Sequence, residues 1–322
     1  MRYASIDIGT NTLRLLVAES DGKRLSPIVY KRTITRLGGG YTESSGIDAA
    51  SAERTLAALE AFKSIIDESG VSATLAFATS VVRRAVNRDW FKDEVFRRTG
   101  IEVTVISGDE EARLSLLGVL SVIDDPGKRS FVMDIGGGST EFISSTVDGI
   151  EGAWSMEMGV VHLTEKFLLN DPPSKDDLAS IETEVMTVLR DLKGRMVRDG
   201  VVPAHYSGAK GALLIGTAGT ITTLASIDQD LTAYDKARIN NYSLGRGAVE
   251  RIYGRLIGMT LRQKEEFLSL ERGREDLIIP GTLITLLVME FFGFDDIKVS
   301  DAGLLEGIIL GRGRTQSTTG VK

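Results

Sequence analysis

Two stretches, SFVMDIGGGSTEF at Ser130–Phe142 and YASIDIGTNTLRLL at Tyr3–Leu16, share one plan. An apolar run ends in Asp-Ile-Gly, small or hydroxylated residues follow, and apolar residues resume. This pattern predicts a buried strand, a glycine turn and a returning strand, twice. Glycine permits unusual backbone torsions and lets main-chain N–H groups approach a bound anion. Thr10, Asn11, Ser139 and Thr140 add side-chain donors of the right length for phosphate oxygens. A carboxylate beside such a turn repels phosphate unless a hard cation sits between them. Asp7, Asp134 and Glu141 therefore become candidate direct or water-mediated Mg2+ partners. Either turn alone reads equally well as a hairpin with a capping aspartate, because a lone short motif decides little. Two of them, with the Gly-Thr-Ala-Gly-Thr turn at 216–220, favour a clamp that holds a phosphate chain from both sides.

Outward from these turns the chain reads as α/β twice over. Strands are expected at Tyr3–Ile8, Leu13–Glu19 and Ile28–Leu37, with a tight turn at Ser20–Arg24. A helix capped by Asp48 and stopped by Gly70 comes next, then a strand in ATLAFAT, a helix ending at Gly100 and a short strand in IEVTVI. After DDPGKR the pattern restarts, with strands at Ser130–Ile135, Glu141–Thr146 and Ile150–Met156 and a long charged helix from about Ser174 to Asp199. GALLIGTAGTITTLASI and IKVSDAGLLEGIIL each give a strand, a turn and a helix, and the tail RTQSTTGVK is expected to fray. Strand triplets followed by alternating helices and strands predict two α/β domains of related topology. The matching aspartates are 134 − 7 = 127 residues apart, a domain-sized repeat.

Bulk properties narrow the function classes. At 322 residues, with 42% hydrophobic and 26% charged, the chain supports a sizeable core. A net charge of −7 leaves no basic footprint for duplex nucleic acid, so no nucleic-acid partner is expected. With no cysteine, a disulfide, a thiolate zinc site or a cysteine nucleophile is excluded. His162 and His205 are the only histidines, too few for a histidine-rich metal centre. Asp7 and Arg14 interrupt what a secretory leader would need as an apolar core, which points to the cytoplasm. The apolar run Leu277–Phe294 contains Pro280, Gly281 and Glu290 and reads as a buried helix rather than a membrane span.

ISGDEEARL supplies the next candidates. Asp109, Glu110 and Glu111 fall together at a helix N-terminus, where acids are favourable for dipole reasons alone. The functional reading takes one glutamate as the general base that removes a proton from attacking water. Lys31, Arg32 and Arg36, and Arg83, Arg84 and Arg88, form two basic clusters. Such clusters are commonly solvated faces, although arginine suits phosphate through its bidentate geometry and could extend a track for a long polyanion. LGGGY at 37–41 reads as a loop, and Trp90 and Trp154 as core or boundary residues.

Taken together, ASIDIGTNTLRLLVA, FATSVVRRAVN, VISGDEEARL, VMDIGGGSTEF, MGVVHLTEKF, IGTAGTITTLA and VSDAGLLEGI closely resemble the exopolyphosphatase / guanosine pentaphosphate phosphohydrolase (Ppx/GppA) family. That family sits in the actin / sugar-kinase / heat-shock-chaperone ATPase superfamily. The resemblance implies two ribonuclease-H-like (actin-like ATPase) domains with the active site in a central interdomain cleft. Domain one would be 1–125 plus 303–322, and domain two 126–302. Glu111 matches the position of the catalytic base. Asp134 and Glu141 match the acidic pair of the second phosphate motif, Asp7 the acid of the first, and all three are expected at the metal. Arg83 matches the arginine that contacts the phosphate chain. The expected phosphate-binding set is Gly9, Thr10, Asn11, Arg14, Arg83, Gly136, Gly137, Gly138, Ser139, Thr140, Gly219 and Thr220.

The implied cofactor is Mg2+, with Mn2+ as a substitute. The implied substrates are polyphosphate or guanosine penta- or tetraphosphate, which ties the chain to the stringent response, and a homodimer is compatible. Two departures stand out: the Glu111–Asp134 spacing is about one residue longer than the family pattern, and the extra helical region of longer relatives is not found after SDAGLLEGIIL. The chain therefore looks like the short, two-domain branch. Two other readings stay open, an ATPase or kinase of the same superfamily and a non-enzymatic sensor of guanosine tetra- or pentaphosphate or of polyphosphate.

Overall fold

The computed structural model describes residues 1–22, 24–267 and 274–312. The expectations for Lys23, in the Ser20–Arg24 turn, and for the tail beyond residue 312 fall outside the described residues. The chain divides into two compact units, Met1–Ser121 with the segment from Ala302 onward, and Val122–Asp301.

The first unit contains β1 (Arg2–Ile8), β2 (Thr12–Ser20), β3 (Leu25–Ile34), α1 (Ala49–Glu68), β4 (Ala73–Ala78), α2 (Ser80–Arg84), α3 (Arg88–Thr99), β5 (Val103–Val105) and α4 (Gly108–Leu120). Its sheet runs β3-β2-β1-β4-β5, antiparallel through β1–β3 and parallel from β1 to β4 and β5. Local signals set the boundaries. Asp48 caps α1 by accepting from Ser51 N at 3.0 Å, and Gly100 ends α3 in the left-handed region at φ 69°. Ala4, Ile6, Ile8, Leu13, Leu15 and Val17 point to one face of the sheet and pack with Leu56, Leu59 and Phe62 of α1.

The second unit contains β6 (Arg129–Ile135), β7 (Thr140–Thr146), β8 (Gly149–Met156), α5 (Val160–Phe167), α6 (Lys175–Arg198), β9 (Leu213–Thr217), α7 (Ala218–Asp228), α8 (Lys236–Ile239), β10 (Ser243–Gly245), α9 (Arg246–Leu256), α10 (Leu261–Phe267), α11 (Ile278–Phe292) and β11 (Asp296–Val299). Its sheet runs β10-β11-β9-β6-β7-β8. Without the antiparallel edge strand β10, the order and directions repeat those of the first sheet, with β6, β7, β8, β9 and β11 in place of β1 to β5. The expected duplicated α/β topology is present, in the ribonuclease-H-like order.

Helix α6 starts on a capping box, Ser174 with Asp177. Burial pushes the Asp177 carboxyl up, but hydrogen bonds from Asn170 and Ser174 outweigh it and hold the group below the usual carboxylate range. The apolar run from Leu277 is helix α11 in the core, and among the described residues no helix is long and apolar enough to cross a membrane. Trp154 is buried, with Nε1 donating to Asp199 Oδ2 at 2.7 Å, whereas Trp90 is 44% exposed.

The last helix, α12 (Leu304–Gly311), belongs to the first unit. Leu305 and Ile309 cover the second face of the sheet at Tyr3, Leu16 and Ala18, and Leu304 and Ile308 pack on Ile106 and Leu114. Here α4 and α12 touch backbone to backbone. A Cβ on Gly307 would lie 1.7 Å from Leu114 O, and one on Gly118 would lie 1.8 Å from Gly303 O. The glycines of SDAGLLEG therefore set a helix crossing and so fix the height of α4. Gly307→Val forces the two helices apart, and it is expected to destabilise the first unit by about 3 kcal/mol, at the upper end of overpacking effects. Denaturant midpoints check this, and a wild-type midpoint would show that the crossing yields freely.

Candidate active site

In the first unit the turn after β1 is a four-residue loop, closed by Gly9 N donating to Thr12 O at 3.1 Å. A Cβ on Gly9 would sit 3.0 Å from Thr12 O, a tight contact that the turn would have to ease by a few tenths of an ångström. Thr10 O accepts from Gly38 N at 2.8 Å, and Asn11 O accepts from Thr35 N and Arg36 N. The LGGGY loop thus braces the turn from behind. The N–H groups of Thr10 and Asn11 make no hydrogen bond among the described residues.

Side-chain atoms of the same turn are also unsatisfied. Asp7 Oδ1, Thr10 Oγ1 and Asn11 Oδ1 are all buried and have no partner among the described residues. Native proteins leave few such atoms, and a cluster of them marks a place where a ligand or ion completes the bonding. The other Asp7 oxygen is occupied, because Arg14 donates to Oδ2 from Nε at 2.8 Å and from Nη2 at 2.5 Å. The pair is set by register, since Asp7 and Arg14 are cross-strand partners on β1 and β2. Arg14 therefore holds Asp7 in orientation as well as standing at the turn.

Strand β5 leads through Ser107 into α4, and Ser107 Oγ caps the helix by accepting from Glu110 N at 3.1 Å. The three acids then separate by environment. Glu110 pairs with exposed Arg113 at 2.7 Å, Asp109 faces solvent, and Glu111 is buried. Arg83, on the short helix α2 after β4, donates through Nη1 to Glu111 Oε2 and to Ile106 O, each at 3.0 Å. Two expected site residues from separate motifs are thus joined, and the carboxylate of Glu111 is held in one orientation.

The second unit repeats the turn. Gly136 N donates to Ser139 O at 2.9 Å, and a Cβ on Gly136 would lie 2.8 Å from that oxygen. The N–H groups of Gly137, Gly138 and Ser139 make no hydrogen bond among the described residues, leaving three consecutive donors for an anion. Gly136 O and Gly137 O accept from Val160 N and Val161 N, the first donors of α5. Gly159 makes this possible, because its Cβ would collide with Gly137 O at 2.2 Å. The Thr140 hydroxyl donates inward to Met158 O, so it braces the turn rather than pointing a proton at a ligand.

Where the first turn has an Asp–Arg pair across the strands, the second has Asp134 opposite Glu141. Both are buried, and Ser155 Oγ donates to Glu141 Oε1 at 2.8 Å. Two carboxylates directly opposite repel each other, so this pair is the better fit for a hard cation, with an all-oxygen donor set. Among the described residues no three His, Cys, Asp or Glu side chains gather into a complete cage, so water and substrate oxygens would fill the remaining positions.

The third turn follows β9. Ala218 sits in the left-handed region at φ 68°, a conformation that strains a residue with a Cβ by about 1–3 kcal/mol. A Cβ on Gly219 would lie 1.7 Å from Arg274 Nη1, so that guanidinium rests on the turn, 3.5 Å from Thr223 Oγ1. Arg274, Ser155 and Gly159 are site residues the sequence reading missed. Only Gly159 carried a signal, as the glycine directly before the apolar start of a helix.

The chain is similar to known proteins in sequence and in fold. The model of the Ppx/GppA phosphatase family matches residues 16–315. The chain belongs to the Ppx/GppA phosphatase family. Exopolyphosphatase 2 of Mycobacterium tuberculosis is 31% identical over 328 residues, spanning 96% of this chain and 98% of the relative. A bifunctional 3-dehydroquinate synthase/phosphatase of Fusobacterium nucleatum is 35% identical over 319 residues, 95% of this chain but 46% of the relative, so the chain spans less than half the length of that protein. Among solved structures, the Aquifex aeolicus PPX-GPPA enzyme is 32% identical with TM-score 0.78, covering 97% of this chain and 99% of that one. An exopolyphosphatase from Cytophaga hutchinsonii is 27% identical with TM-score 0.87, covering 98% of each. As a Ppx/GppA member the chain has the mixed α/β, actin-like fold expected from its sequence.

Proposed function

We propose that this Ppx/GppA member is a Mg2+-dependent phosphohydrolase that releases orthophosphate from the terminal phosphoanhydride of inorganic polyphosphate, of guanosine pentaphosphate, or of both. The observation that carries this reading is the buried Glu111 carboxylate, fixed by Arg83 in the same unit as a turn with unpaired donors and acceptors. Relatives named exopolyphosphatase support polyphosphate as substrate.

In this reading the N–H groups of Gly137–Ser139, and those of Thr10 and Asn11, bind oxygens of the terminal phosphates. Asp134 and Glu141 would hold Mg2+, which when bound would neutralise charge developing on the phosphate oxygens. Glu111 accepts a proton from water as the water oxygen bonds to the terminal phosphorus. The bond from that phosphorus to its bridging oxygen breaks, and the shortened chain leaves with the electron pair. Arg83 keeps Glu111 aimed at the water, and Arg14 keeps Asp7 turned so that Oδ1 faces the ligand.

The test is orthophosphate release by the pure protein on short polyphosphate, long polyphosphate, guanosine pentaphosphate and ATP in parallel. Release from polyphosphate or guanosine pentaphosphate well above that from ATP is expected. Hydrolysis of ATP alone would replace this reading with an ATPase, and hydrolysis of none with a sensor.

A further inference from the structure

A cavity of about 510 Å3 opens in the first unit beside the Arg83–Glu111 pair, within the size range of small-ligand sites. Its walls are the edge strand β5 with the residues leading to α4, and three basic side chains from α2 and α3. Arg83 forms one end. Arg88 and Lys92 stand one helical turn apart on α3, at i and i+4, which places both on one side of the helix. Asp89, whose side chain is 80% exposed and 3.9 Å from Arg88 Nε, is the one carboxylate of the lining, and Arg83 is already paired with Glu111, which leaves Arg88 and Lys92 as the cations the cavity offers.

The charge is unusual for its setting, because the chain as a whole carries −7. Lys92 is half-buried and makes no hydrogen bond or ion pair among the described residues. No aromatic side chain lines the cavity, so a nucleobase would find no ring to stack on. Polyphosphate needs no such surface, since every repeat offers only anionic oxygens to arginine and lysine.

We propose that this cavity is a subsite for inner phosphates of a long polyphosphate chain, reached past Arg83 when the terminal phosphate is at Glu111. The proposal rests on the phosphohydrolase reading above for its reaction, but its binding arm stands alone. It makes Arg88 and Lys92 determinants of chain-length preference, with Arg83 shared between the subsite and the reacting end.

The experiment compares wild type with the double variant Arg88→Ala/Lys92→Ala in two arms. In the binding arm, fluorescence anisotropy of end-labelled long polyphosphate gives Kd across a salt series. The double variant is expected to raise Kd about 10-fold at 0.1 M salt and to flatten the slope of log K against log[salt] by about 1, as loss of phosphate contacts requires. In the turnover arm, the ratio of KM for long polyphosphate to KM for tripolyphosphate is expected to rise about 10-fold, with kcat little changed and guanosine pentaphosphate unaffected. Unchanged Kd and unchanged salt slope would overturn the proposal, as would equal KM increases on long and short substrates. If wild type hydrolyses nothing yet binds long polyphosphate through these two residues, the phosphohydrolase reading fails and the subsite stands. Normal hydrolysis with no effect of the double variant gives the converse.

Discussion

Glu111→Gln is expected to lower kcat for orthophosphate release by about 10²–10⁴-fold, the range for loss of a general base, with KM within about twofold of wild type. Glutamine keeps the shape and can still accept from Arg83 Nη1, the 3.0 Å contact that fixes the side chain. It cannot take a proton from water. The loss should therefore fall on the chemical step, and single-turnover rates with saturating tripolyphosphate would isolate it. The neighbouring acids provide the control. Glu110 is paired with Arg113 on the exposed side of α4, so Glu110→Gln should change kcat less than about twofold. Comparable losses in both variants would mean that the helix N-terminus contributes only a diffuse negative field.

The second large effect joins activity to stability with opposite signs. Asp134 and Glu141 are buried directly across two strands, an arrangement unfavourable by about 0.2–1 kcal/mol for like charges. Asp134→Asn removes that repulsion, so the metal-free protein is expected to melt higher by up to about 4 °C, given about 2–4 °C per kcal/mol at this size. Activity should fall about 10²–10³-fold, because the oxygen site for Mg2+ loses its charge. Thermal scans without and with Mg2+ check both halves of this expectation. In wild type added Mg2+ should raise the midpoint through binding to the folded state, and in Asp134→Asn it should not. A variant that melts lower and keeps its Mg2+ response would show that Asp134 serves the fold and not the ion. This is a stability–activity trade-off read from one cross-strand pair.

Most of the scaffold was legible because its signals are local. Each Asp-Ile-Gly turn carries its own strand alternation and its own glycine, so both hairpins and the repeat followed from the sequence. The caps at Asp48, Gly100 and Ser174 were likewise written in single residues. The contrast between the two turns was open to counting, since a four-residue turn places Arg14 opposite Asp7 and Glu141 opposite Asp134. That step separates an internally paired acid from an acid pair.

What stayed hidden depends on residues distant in sequence. Arg274 reaches Gly219 across 55 positions (274 − 219), and Gly307 meets Leu114 across 193 (307 − 114), so neither contact has a sequence period or motif. The three-residue strand β10 is too short for alternation to register. The selection of Glu111 among three adjacent acids came from burial and from Arg83, whereas sequence offered only the family pattern.

The most direct measurement is orthophosphate release from tripolyphosphate by wild type and Glu111→Gln, each with Mg2+ and with a chelator. Release by wild type only, and only with Mg2+, is the predicted result. Equal release by both proteins, or release by wild type undiminished by the chelator, would contradict the assignment of the base or of the cation.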